Sequence, residues 1–143
     1  MNNAVQRESL GLEMTVSERV VISVVDDDQS VREALKSLLD SVGYGTEVFI
    51  SAEDFWNSGR LTKTSCLILD VRMSGMSGLE LQRLLNAAES NVPIIFISAH
   101  DDGEARVRAL HAGAIAFLQK PFSEDALLRA ISKALDVNRR AIH

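Results

Sequence analysis

One pattern recurs five times along this chain: a short run of mostly β-branched or large apolar residues, a polar turn, then a segment whose apolar residues repeat with helical period. The apolar runs are Val20 to Val25, Thr46 to Phe49, Cys66 to Leu69, Ile94 to Ser98 and Ile115 to Leu118. They are continuous rather than alternating, which suits strands of a parallel sheet covered on both faces. Between them, Val31, Ala34, Leu35, Leu38, Leu39 and Val42 form one stripe of a 3.6-residue helix. Leu81, Leu84, Leu85 and Ala88 form a second, and Leu127, Ala130, Ile131, Ala134 and Leu135 a third. The segment from Glu104 to His111 mixes Arg106 and Arg108 with Val107 and Leu110, so it predicts the least deeply packed helix. Phe55 and Trp56, early in the second helix, read as packing residues.

Punctuation agrees with these elements. Ser51 to Asp54, Ser77 to Glu80 and Asp101 to Glu104 each place a short polar cap three residues before an acid, and Gly43, Gly59 and Gly113 fall where helices should stop. The expectation is an α/β fold, a five-stranded parallel sheet with five helices on both faces and right-handed crossovers. At 143 residues, 46% of them hydrophobic, the chain suits one domain able to bury roughly two thirds of its unfolded surface.

Charge and cysteine usage narrow the function classes. Twenty acidic against fifteen basic residues give a net charge of −5, which argues against direct nucleic-acid binding and against an anionic membrane surface. A single cysteine, Cys66, permits neither an internal disulfide nor a multi-cysteine zinc site, and it reads as a small buried hydrophobe. His100, His111 and His143 show no metal-ligand spacing. The first nineteen residues lack the apolar core of a secretory signal, and no stretch approaches the ~20 apolar residues of a membrane span. A cytoplasmic location is expected. Residues 1–18 read as a flexible extension in which Val5, Leu10, Leu12 and Met14 could dock as a short helix; 19–138 read as the domain and 139–143 as a tail, with Arg139 and Arg140 a solvated helix end.

In a parallel α/β sheet, chemistry gathers at the carboxyl ends of the strands. The first strand leads into Asp26, Asp27 and Asp28, the third into Asp70, the fourth ends at Ser98, and the fifth leads to Lys120 and Pro121. These groups converge on one rim. Asp28 reads as a helix-start residue rather than a metal ligand. Clustered carboxylates repel one another and need a proton or a cation, and hard oxygen donors without imidazole or thiolate favour Mg²⁺. With Mg²⁺ and Lys120 beside it, the cluster would trap a phosphoryl group, and Asp70 is the natural nucleophile, forming an acyl phosphate.

The segments Val24-Val25-Asp26-Asp27, Leu69-Asp70-Val71-Arg72-Met73-Ser74-Gly75-Met76-Ser77-Gly78-Leu79, Ser98-Ala99 and Lys120-Pro121-Phe122 resemble the receiver domain of two-component response regulators. The resemblance covers about 20–136 and is most similar to receivers of nitrogen-fixation-type regulators, which usually precede a helix-turn-helix output domain. It implies a flavodoxin-like strand order of 2-1-3-4-5. It further implies that Asp70 is the phosphoacceptor for a sensor histidine kinase, with Mg²⁺ held by Asp26, Asp27, Asp70 and the main-chain carbonyl of Arg72. Lys120 would pair with the phosphoryl oxygens and Ser98 would donate its hydroxyl to one of them. Phe117 takes the aromatic switch position, although it also reads as a plain core aromatic. The Lys120–Pro121 peptide is expected to be cis. Phosphorylation would act through the face of the fourth helix, fifth strand and fifth helix on a homodimer or a downstream protein target.

Three features depart from the family's pattern. Ser74 stands where proline is common, which frees the loop after Asp70; Arg72 and His100 occupy positions that in this family tend to tune autodephosphorylation; and, with the sequence ending soon after Arg140, no output domain is expected within it. Rival readings fare worse. A haloacid-dehalogenase-type phosphatase needs an acid two residues after its nucleophile, where this chain has Arg72. A flavodoxin-like flavin binder needs a hydroxyl-rich phosphate loop where this chain has three aspartates. A signalling phosphoacceptor rather than an enzyme is therefore expected, either a single-domain regulator or the receiver of a helix-turn-helix transcription factor. A phosphorylation-independent interaction module is the alternative.

Overall fold

The computed structural model describes residues 20–142, with side chains through 138. The readings of residues 1–18, of the Arg139 and Arg140 side chains and of His143 lie outside the described residues. In chain order the elements are β1 (Val21–Val25), α1 (Gln29–Ser41), β2 (Gly45–Phe49), α2 (Ala52–Asn57), a 3-10 turn (Leu61–Lys63), β3 (Cys66–Asp70), α3 (Gly78–Ala87), β4 (Ile94–Ser98), α4 (Gly103–His111), β5 (Ala116–Gln119) and α5 (Glu124–Ile142). All neighbouring strands are parallel, in the order β2-β1-β3-β4-β5.

The continuous apolar runs are explained by a core on each side of the sheet. Side chains alternate across a strand, so Ile22, Val24, Cys66, Ile68, Ile95 and Ile97 face one way, against Leu35 and Leu39 of α1 and Leu127, Ile131 and Ala134 of α5. Val25, Leu67, Leu69, Ile94 and Phe96 face the other, against Phe55 of α2, Leu81 and Leu85 of α3 and Ala105 and Ala109 of α4. Each fully buried Leu, Ile or Phe contributes on the order of 2 kcal/mol by leaving water. Ser23 is the polar exception in β1, satisfied by a 2.7 Å hydrogen bond between its hydroxyl and that of Thr64.

Local signals account for most helix ends. Asp28 caps α1 by accepting from the Ser30 amide, Ser51 caps α2 by accepting from Asp54, and Ser77 with Glu80 closes a full capping box on α3. Gly43, Gly59 and Gly113 follow α1, α2 and α4 with positive φ. α3 departs from that habit, since Glu89 takes φ 59° after it.

Several expectations need correction. The cap of α4 is Asp102, which accepts from the Ala105 amide, rather than Asp101. Val42 lies past the last turn of α1 and is 47% exposed, and Ala34 and Ala88 are exposed as well, so those stripes are narrower than the periodicity suggests. The buried face of α3 includes Gln82, whose amide donates to the Ala109 carbonyl at 3.0 Å and ties α3 to α4. Phe55 is fully buried, whereas Trp56, adjacent on a six-residue helix and about 100° around it, is 38% exposed. The expectation of a thinly packed α4 holds: only its two alanines are buried, and Val107 and Leu110 face solvent. β1 and β5 each begin one residue later than expected, β2 begins one earlier, and β3 and β5 each run one residue further. Among the described residues no helix is long and apolar enough to cross a membrane.

Candidate functional site

Register assembles the site. β1 pairs with β3 so that Val25 lies beside Leu69, and the next residues, Asp26 and Asp70, emerge together on the rim. Both fall on the parity of Val24 and Ile68, so both carboxylates sit above the same core. Asp26 is fully buried and Asp70 is 6% exposed. Asp27 is exposed, yet carboxylate oxygens of Asp26, Asp27 and Asp70 all lie within 4.8 Å of one another. This is the cluster of potential metal-ligating residues found among the described residues.

Lys120, immediately past β5, closes the pocket from the other side. Its Nζ donates to Asp26 Oδ2 at 2.9 Å and stands 3.7 Å from Asp70 Oδ2. The Lys120–Pro121 peptide is cis. Asp26 is held from three further directions: its Oδ1 accepts from the Asp28 amide at 2.9 Å, its amide donates to the Phe49 carbonyl, and its carbonyl accepts from Arg32 at 2.8 Å. Asp70 is far less engaged. Its Oδ1 meets the Arg72 amide at 3.4 Å, a long contact. Burial first, then the Asp26 charge, pushes the Asp70 carboxyl up to about 7, against the pull of Lys120 and the Arg72 amide.

That imbalance tests the fit of a cation. Three carboxylates and one ammonium leave surplus negative charge in a partly dry pocket, and all the free donors are hard oxygens. A divalent magnesium ion would neutralise the surplus and keep Asp70 ionised at neutral pH, so the residues fit Mg²⁺.

The remaining predicted residues ring this centre. Ser98 ends β4, beside β3, with its Oγ buried; it accepts from the His100 amide and donates to the His100 carbonyl, both at 3.1 Å. The Arg72 side chain turns away from the carboxylates, and its Nη2 meets Asp102 Oδ2 at 2.6 Å at the start of α4. Phe117 is buried in β5, its ring 6.2 Å from that of Phe96. Asp28 serves as the α1 cap.

Four partners had no signal in the sequence reading: Arg32 on the Asp26 carbonyl, Asp102 on Arg72, Arg106, and Glu53. Arg106 of α4 lies 5.8 Å over the Phe117 ring and donates to the Phe117 carbonyl at 3.2 Å. Glu53 of α2 accepts from the Met76 amide at 2.9 Å, in the loop that follows Asp70. The Arg72–Asp102 and Glu53–Met76 contacts span 30 and 23 residues, whereas those of Arg106 and Arg32 span 11 and 6.

Known proteins share the sequence pattern and the fold. A sequence family described as the response regulator receiver domain matches residues 22–132. The response regulator protein TodT of Pseudomonas putida is 50% identical over 115 residues, covering 80% of this chain and 51% of TodT. The transcriptional regulatory protein FixJ of Bradyrhizobium diazoefficiens is 39% identical over 114 residues, covering 80% of this chain and 56% of FixJ. The solved structure of the response regulator StyR superposes with a TM-score of 0.80 at 50% identity, covering 85% of this chain and 61% of that one. The chain thus spans about half the length of the curated relatives it matches.

Proposed function

Because the chain belongs to the response regulator receiver domain family of two-component systems, we propose that Asp70 accepts a phosphoryl group from the phosphohistidine of a sensor histidine kinase and thereby switches the α4–β5–α5 face. The observation that carries this reading is the buried, weakly bonded Asp70 carboxylate set between Asp26 and Lys120 at the strand ends. An Asp70 oxygen attacks phosphorus in line, the new O–P bond forms as the N–P bond of the phosphohistidine breaks, and the N–P electron pair stays on an imidazole that leaves neutral because its other ring nitrogen already carries a proton. Asp26, Asp27, Asp70 and the Arg72 carbonyl would hold a magnesium ion, which when bound would neutralise charge on the phosphoryl oxygens. Lys120 shares its ammonium between Asp26 and the incoming oxygens, with only a short swing because it already stands 3.7 Å from Asp70.

The switch follows from what Ser98 must give up. Its hydroxyl proton now goes to the His100 carbonyl, and donation to a phosphoryl oxygen redirects it and releases the loop between β4 and α4. α4 rests on two alanines and reaches Phe117 through Arg106, so a shift of that loop moves the helix and the aromatic together. The α4–β5–α5 face then engages a second copy or a downstream protein target in the cytoplasm. The named role of FixJ and the greater length of the relatives support the receiver of a transcriptional regulator.

Beryllofluoride tests the site without a kinase. Titrated with Mg²⁺ present, it should give saturable heat with the native protein and none with Asp70→Asn. Equal heats from both proteins would overturn the assignment.

A further inference from the structure

The loop from Val71 to Ser77 follows Asp70 past the acidic cluster; its base is held by the Val71 amide on the Ile97 carbonyl at 3.1 Å, and Met73 and Met76 pack against the core. At its neck the Gly78 amide donates to the Val71 carbonyl at 2.9 Å. Gly78 is pressed so closely on the Asp70 carbonyl that a Cβ has no room. At the crest no proline presets the backbone, since position 74 is serine. Instead Gly75 takes φ 78° and lies directly against the Glu53 carboxylate, where any side chain would collide with Oε2. The same Oε2 accepts from the Met76 amide at 2.9 Å. The bond holds the Glu53 carboxyl below the usual carboxylate range, the Met76 amide being the larger cause.

We propose that Glu53 is a positioning residue for the metal site: from α2 it pins the crest of the 71–77 loop and so fixes where the Arg72 carbonyl is offered to the cation. This rests on the reading of Asp26, Asp27, Asp70 and the Arg72 carbonyl as the metal ligands. The anchor suits the task. α2 is fixed by the fully buried Phe55 and Ala52 on either side of Glu53, so the carboxylate is held by a rigid element and transmits that rigidity to a loop whose Ser74 supplies none. A charged acceptor on a backbone amide is about twice as strong as a neutral one. Glycine at 75 is needed for the left-handed turn.

The test is Mn²⁺ binding to the metal-stripped protein, read by electron paramagnetic resonance, with amide hydrogen exchange at Met76 as a second readout. Glu53→Ala should weaken Mn²⁺ binding about tenfold, at the lower end of what outer-shell partners of a metal contribute, and should speed exchange at Met76. Glu53→Gln, which keeps an acceptor for the Met76 amide, should recover most of the affinity. Asp54→Ala, an exposed acid on the same helix, should leave it unchanged and controls for general loss of charge or helix stability. Native-like affinity in Glu53→Ala, with native Mn²⁺ binding intact, would overturn the proposal and leave the metal site standing. An equal loss in Asp54→Ala would also overturn it. Absence of Mn²⁺ binding in the native protein would overturn the metal-site reading and this inference together. Glu53→Gln carries the test if the alanine variant folds poorly: affinity reduced by less than that of Asp27→Asn, with native exchange at Met76, supports the proposal, and affinity lost as completely as in Asp27→Asn overturns it.

Discussion

In metal-free solution Asp70→Asn should make the protein more stable. The Asp70 carboxyl rises from 3.8 to about 7 because burial and the Asp26 charge oppose its ionisation, and a change of that size corresponds to about 4 kcal/mol at neutral pH. Water at the rim screens part of this, and about 2 kcal/mol is the expected gain. The sign follows from proton binding. Between the unfolded value of 3.8 and the folded value of about 7 the folded protein holds a proton that the unfolded chain has lost. The contribution to stability is therefore fully present below 3.8 and disappears as pH rises through 7. Urea unfolding in EDTA should show the native protein losing stability between about pH 4 and pH 7.5, while the Asn variant loses less. The gap between them should open from under about 1 kcal/mol near pH 5 to about 2 kcal/mol near pH 7.5. Adding Mg²⁺ should stabilise the native protein and narrow the gap. A variant no more stable than the native protein near pH 7.5, or a gap that does not change with pH, would refute the reasoning.

Other predictions follow from single contacts. Lys120→Met leaves the Asp26 and Asp70 carboxylates without their cation, so it should cost about 3 kcal/mol in EDTA and recover with Mg²⁺; a loss under about 1 kcal/mol in urea titrations would contradict the charge balance described. Ser98→Ala removes the hydroxyl that must turn from His100 to the phosphoryl group, so Asp70 should still be modified while amide shifts in α4 on beryllofluoride binding shrink. Phe55→Ala should cost about 3–5 kcal/mol and Trp56→Ala under about 1 kcal/mol, measured by denaturation, because only the first ring is buried. Burial pushes the Cys66 thiol up to about 12, so iodoacetamide near pH 8 should label it only through unfolding, at a rate that urea accelerates. The same shift favours the neutral thiol in the fold, so its contribution to stability falls as pH climbs from 9 toward 12.

The sheet was legible because strands buried on both faces must be apolar at every position, as Cys66-Leu67-Ile68-Leu69 shows. The acidic pocket was legible for a related reason: each polar group stands directly after such a run, and parallel pairing leaves only one rim for it. What escaped the sequence depended on three-dimensional neighbours. Gln82 looks like a surface residue until the Ala109 carbonyl, 27 residues later, is found beside it. Asp101 and Asp102 are equivalent as sequence, and only backbone geometry makes the second the cap. Phe55 and Trp56 are both aromatic and adjacent, but one short helix can turn only one of them inward. Glu53 drew no notice in the sequence, because its bond to Met76 depends on how α2 and the loop after β3 fold against each other.

The central claim is that Asp70 is a metal-dependent phosphoacceptor, and the most direct test is the intact mass of the protein after incubation with acetyl phosphate. A gain of about 80 Da, the mass of one phosphoryl group, should appear on the native protein with Mg²⁺ and be absent with EDTA or in Asp70→Asn. The same gain on Asp70→Asn, or none on the native protein with Mg²⁺ under conditions where beryllofluoride also fails to bind, would contradict the account.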